Sequence, residues 1–245
     1  MPRQRKRGRR AAGPFVIAAV LLGVPLIGWA GYNALTRDEP AGSAATADTR
    51  AESAGEVARG DTTTGSFELA QAARDAVHAC ATRLAAGDAY VQSAGVGIGH
   101  WNEHVQARTD MLNGVIAQED MKAIWKRTRL AGPEDVNQAN AALEAYEALP
   151  ACDGLATIED PPETVVAQIT ACQERETATT AAVAAATTGM QGWSGHLNAM
   201  AAHADGEMTA QAAQDLWVAA WEAAPGYIGV FNDARDLLAA APACE

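Results

Sequence analysis

Apolar and polar positions divide the chain into three stretches. Residues 13–35 form a predominantly apolar run, including Phe15, Val16, Ile17, Val20, Leu21, Leu22, Leu26, Ile27 and Trp29, with no charge inside it. Residues 36–65 are rich in Ala, Gly, Ser, Thr and Asp and carry almost no large apolar side chain. From Ser66 onward apolar residues recur at helical spacing, beginning with Phe67, Leu69, Ala70, Ala73 and Val77.

The first stretch is long enough to cross a hydrocarbon core of roughly 30 Å at about 1.5 Å per residue. Pro25 inside it is compatible with a membrane helix. A cleaved signal is the competing reading, but its apolar region would be shorter, and Ala30-Gly31 makes a poor cleavage site. The second stretch buries too little surface to order itself and reads as a flexible linker.

The third stretch predicts an all-α domain. Alanine dominates and β-branched runs are short. Gly87, Gly114, Gly132 and Gly206 punctuate it, with Pro133, Pro150, Pro161, Pro162 and Pro225. With Ser66 as its N-cap, the pattern predicts helices near 66–86, 88–112, 118–130 and 133–148. The same series then repeats: one from Pro161-Pro162, one over about 179–205, one after Thr209 and one after Pro225.

The series is doubled. Cys80 and Cys152 are 72 residues apart, as are Cys172 and Cys244, and both second cysteines close a Pro-Ala-Cys tripeptide. Residues 66–152 and 161–245 therefore read as two helical repeats. The cysteines and Asn140/Asn232 align at an offset of 92. Gly99-His100/Gly195-His196, Asn102/Asn198, Gln118/Gln214 and Trp125/Trp221 align at 96, which predicts a four-residue shift between frames. Two such units would pack around a pseudo-two-fold axis.

Charge and cysteines set the compartment. Residues 1–12 carry Arg3, Arg5, Lys6, Arg7, Arg9 and Arg10 and no acid, whereas all 30 Asp and Glu follow Arg37. The positive-inside rule puts this tail in the cytoplasm and the rest outside. The chain then reads as a single-pass protein of the cell membrane, with an extracytoplasmic, duplicated, disulfide-bonded helical bundle. Four cysteines outside the cytoplasm predict two disulfides in one of three connectivities; Cys80–Cys152 with Cys172–Cys244 is the expected one, because it closes each unit. There is no Cys-x-x-Cys to suggest a thiolate metal site. The acidic excess argues against a nucleic-acid partner, which needs a basic footprint.

Two clusters could carry chemistry. His100 and His104 share one helix face, and His196, Met200 and His203 share another at i, i+4 and i+7. Imidazole with thioether suits copper, and imidazole with carboxylate suits zinc. The bland alternative is packed core side chains, which needs no cofactor. Lys122, Lys126 and Arg129, with Arg127 beside them, form a basic stripe in an acidic domain. That stripe suits lipid headgroups, an anionic polymer or an acidic envelope protein; the alternative is a charge cluster that is salt-bridged or favoured by a helix C-terminus.

Trp101, Trp125, Trp193, Trp217 and Trp221 read mostly as core anchors, with an aromatic groove for a carbohydrate or peptide as the alternative. Gly95, Gly97 and Gly99 lack a preceding strand and read as sites of close helix contact or of a helix break. No His-Glu-x-x-His, Gly-x-Ser-x-Gly or phosphate loop occurs. The expected role is non-enzymatic binding at the envelope, with a copper- or zinc-binding sensor or chaperone as the alternative.

Overall fold

A computed structural model describes residues 61–245, and their side chains from residue 67 on. The basic tail, the expected membrane span and most of the expected linker lie outside the described residues. No helix among the described residues is long and apolar enough to cross a membrane.

The described chain is all-α, with no strand. Four long helices follow one another: α1 (Asp61–Leu112), α2 (Gln118–Glu147), α3 (Glu163–Ala204) and α4 (Ala210–Ala240). A short 3₁₀ turn at Cys152–Leu155 lies between α2 and α3. The helices pair as two antiparallel hairpins, α1 with α2 and α3 with α4, and α1 packs along α3.

The eight shorter helices expected from the sequence are fused into these four. The first begins at Asp61 and runs through Ser66, which is therefore not its cap. Gly87 lies within α1, where a Cβ would collide with Thr179 and press on Tyr146. It marks a close approach, not a break. Pro133 and Pro225 sit inside α2 and α4. Each removes an N–H from the helix interior, yet both helices continue. Next to Pro133, Gly132 is buried with room for no side chain: an added Cβ would lie 2.6 Å from Leu197 and 3.0 Å from Trp193. Packing of the flanking turns outweighs the local defect.

The true stops are Gly114 and Gly206. Both have positive φ, +71° and +75°. After α1, Gly114 N–H donates to the Met111 carbonyl and Val115 N–H to that of Asp110. After α3, Gly206 N–H donates to His203 and Glu207 N–H to Ala202. These are matching Schellman closures, satisfying carbonyls that a helix end would otherwise orphan.

The offset between hairpins is 92 throughout. α1 and α3 end at Leu112 and Ala204, and α2 and α4 start at Gln118 and Ala210. Trp101/Trp193, Gly97/Gly189, Pro133/Pro225 and Arg83/Arg175 share that offset. The expected offset of 96 for the histidine and tryptophan region is therefore corrected. Gly99-His100 and Gly195-His196 resemble each other by coincidence; the residue in the place of His100 is Gly192. The helix contacts are reciprocal as well. A Cβ on Gly97 would lie 2.8 Å from Met190, and one on Gly189 would lie 2.8 Å from Ile98. Since Ile98 and Met190 are themselves 92 apart, α1 and α3 meet about a local two-fold axis.

The main core lies along that axis. Tyr90, Val91, Ala94, Ile98 and Trp101 of α1 pack with Ala182, Ala186, Met190 and Trp193 of α3. Ala139, Ala224, Ile228 and Phe231 close it from α2 and α4. A second small core surrounds the disulfides, with Ala73, Val77, Leu84, Leu155, Val165 and Ile169. Both expected bonds are present, Cys80–Cys152 and Cys172–Cys244, with Cα–Cα distances of 4.8 and 4.4 Å. Arg83 and Arg175 act alike beside them. Arg83 donates to the carbonyls of Tyr146 and Leu149 at the end of α2. Arg175 reaches those of Ala241 and Pro242 after α4. Each places a cation where helix carbonyls lack partners.

Candidate functional site

Past the crossing, α1 and α3 bring His104 and His196 together, with their Nε2 atoms 3.3 Å apart. Both side chains are buried. The His104 ring stacks on Trp125, with centroids 5.3 Å apart, and the His196 ring stacks on Trp193 at 5.9 Å. His104 Nδ1 bonds the Thr128 hydroxyl at 2.8 Å. That hydroxyl also lies 3.0 Å from the Ile124 carbonyl.

The proton chain can run either way. If Thr128 donates to the carbonyl, His104 donates from Nδ1 and accepts at Nε2 from His196. If Thr128 donates to His104 instead, its bond to the carbonyl is lost, and His104 donates from Nε2 to His196. His196 Nδ1 is left buried without a partner in both cases.

Neither ring is charged at neutral pH. Burial holds the His104 pKa down to about 3, with further depression from His196 and from the Arg129 guanidinium. Burial alone brings His196 down to about 4.

The pair forms part of the wall of a cavity of about 810 Å³ between the two hairpins. Both residue clusters singled out from the sequence meet there. His104, His196, Met200 and His203 line it, and so do Lys122, Lys126 and Arg129. Two of the expected residues lie elsewhere. His100 bonds the buried Asp135 carboxylate, with Nδ1 2.8 Å from Oδ2. Arg127 pairs with Glu103 on α1. The cavity adds Arg108, Trp125, Trp217 and Trp221, which the sequence did not single out as one site.

His203 Nδ1 lies 3.3 Å from the Met208 carbonyl, and its ring meets Trp217 edge-on. Among the described residues, no three His, Asp or Glu side chains converge closely enough to share one ion. Only Cys80, Cys172 and Cys244 cluster so tightly. Those sulfurs are committed to disulfides, and the thiolate is the form that ligates metal.

The two walls of the cavity are equivalent in backbone and opposite in chemistry. At the offset of 92, Arg108 corresponds to Met200, Lys122 to Gln214, Lys126 to Val218 and Arg129 to Trp221. All eight residues line the cavity. One hairpin contributes four cations, and the other contributes three apolar side chains and an amide. No carboxylate lies among the described lining residues, and none of the four cations is ion-paired among the described residues.

Arg108 stacks on Trp221, 4.5 Å from its ring centre. The indoles differ too. Trp125 Nε1 donates to the His104 carbonyl at 2.8 Å, whereas Nε1 of its counterpart Trp217 is buried without a partner.

No family model, curated protein or solved structure matches this chain.

Proposed function

We propose that this chain is a membrane-anchored, extracytoplasmic binding protein built from a duplicated helical hairpin, and that its cavity takes a small anionic ligand. The observation that carries this reading is the cluster of four cations without a carboxylate in a cavity between the hairpins. From Arg37 onward the chain has 12 basic against 30 acidic residues. Four cations that have no ion pair among the described residues and face one cavity are a local reversal of that balance. Such a reversal attracts anions where the surrounding surface repels them. The location rests on the basic tail, the apolar run after it and the two disulfides, which persist in oxidising compartments. The volume lies within the roughly 300–1,000 Å³ usual for small-molecule sites.

The full chain in phosphatidylcholine nanodiscs tests this reading. Trp125, Trp217 and Trp221 line the cavity, so its emission should change on titration with phenyl phosphate. Phenethylamine, of similar size and opposite charge, should give no change. The Lys126→Glu/Arg129→Glu double variant should weaken phenyl phosphate at least tenfold. Equal responses to both compounds, or no effect of the charge reversal, would overturn the anion site.

A second reading is a soft metal held by His104, His196 and Met200. The close approach of two neutral imidazole nitrogens favours it. Four nearby cations oppose it, because they disfavour another positive charge. Cuprous ion bound at near-stoichiometry, and lost in His196→Gln, would reverse that ranking.

A further inference from the structure

The opposed chemistry of the two walls narrows the ligand class, and this step rests on the anion site proposed above. We infer that the cavity holds a single-chain amphiphile, with its carboxylate or phosphate head against α2 and its hydrocarbon chain against α4. A duplicated hairpin closing about a two-fold axis would by default build the same wall twice. Here the α2 side carries Lys126 and Arg129, and the α4 side carries Val218 and Trp221 in the corresponding places.

A compact inorganic anion would engage only the first wall and would leave the second wet. A neutral hydrocarbon would engage the second and leave the cations unused. An anion with an apolar tail satisfies both. The polar head trades water for charge-assisted bonds, and each methylene leaves water for Val218, Trp221 and Met200. Between the walls, the His104–His196 pair offers a polar but uncharged surface. An extended chain can pass it without leaving a charge buried and unpaired.

The test uses a dodecyl phosphate with a photoreactive diazirine at its far end, added to the full chain in phosphatidylcholine nanodiscs. Labelling is expected on α4 residues around Trp217–Trp221 and not on α2. Alkyl phosphates should displace the label with affinity rising about threefold to fourfold per added methylene, the gain for one buried CH₂. Matching alkyl carboxylates show whether the head is a carboxylate or a phosphate. Lys126→Glu/Arg129→Glu should weaken labelling at least tenfold. Val218→Lys should abolish the gain in affinity per added methylene.

If inorganic phosphate displaces the label as well as decyl phosphate does, the anion site stands and the amphiphile inference fails. If decanol displaces it equally, the charged wall is not used and both fail. Labelling confined to α2, or no labelling in the cavity, also overturns the orientation inferred here.

Discussion

His104 and His196 show how burial changes the meaning of a residue. Both rings keep their nitrogens uncharged because ionising them would cost solvation that the interior does not return. Their stability linkage has a definite sign. The unfolded chain takes up protons near pH 6.5, the ordinary histidine value, while the folded chain does so only near about 3 and about 4. Stability from keeping these groups neutral is fully present above pH 6.5 and is lost as the pH falls towards those values. Between pH 6.5 and 5, above the ordinary carboxylate range, Tm should fall measurably. In the His104→Gln/His196→Gln variant the slope over that window should flatten; an unchanged slope would place the titration elsewhere.

The sequence marked these histidines as chemistry-bearing, but aligned His196 with the wrong partner. His104 and His196 stand 92 apart, the same offset as the cysteines. That signal was available in the sequence. The Gly-His dipeptides hid it, because two short matches in a Gly- and Ala-rich stretch outweighed a sparser match of better-placed residues. The pairing of His100 with Asp135 was not legible. It depends on how α1 and α2 rotate against each other.

At the scale of elements, the number of helices depended on a contest that sequence patterns do not weigh. Gly and Pro lower helix stability locally, by about 1 and about 3 kcal/mol relative to Ala. A boundary at Pro133 or Pro225 was the natural expectation. Tertiary packing on both sides carried the helix through, and the stops fell where Gly114 and Gly206 adopt a left-handed turn.

The cost of Pro133 should therefore still be present in the fold. Pro133 is exposed, so Pro133→Ala removes no buried contact and restores a donor for the Arg129 carbonyl. It should stabilise by about 1–2 kcal/mol, the helix-interior cost less the entropy proline removed from the unfolded chain. Chemical denaturation would show this as a higher midpoint with an unchanged slope; a lower midpoint would mean that the proline is part of the fold's geometry.

For the whole molecule, each disulfide closes one hairpin between residues 72 apart. In the chain-entropy model a loop of that length gives about 4 kcal/mol, which is comparable to the net stability of many domains. Replacing Cys172 and Cys244 together by Ser should lower stability by about that amount. The second small core should loosen before the main one, because Cys172 itself belongs to it. Hydrogen exchange should show protection lost first at the amides of α3 near Ile169. Uniform loss along all four helices would show instead that the molecule unfolds as one cooperative unit.

The sequence alone determined the helical class, the doubling, the presence of two disulfides and the two sets of residues worth attention; the structure chose among the three possible pairings. These follow from periodicity, spacing and charge, which are properties of the chain in order. Only the tertiary structure decided that the histidines and the basic stripe line one cavity. It also decided that His100 and Arg127 are drawn away, and that cations on one hairpin face apolar residues on the other. The physical reason is that a cavity wall is set by which helix faces meet and at what rotation. The Gly97–Met190 and Gly189–Ile98 contacts set that meeting, across a separation in sequence that local patterns cannot register.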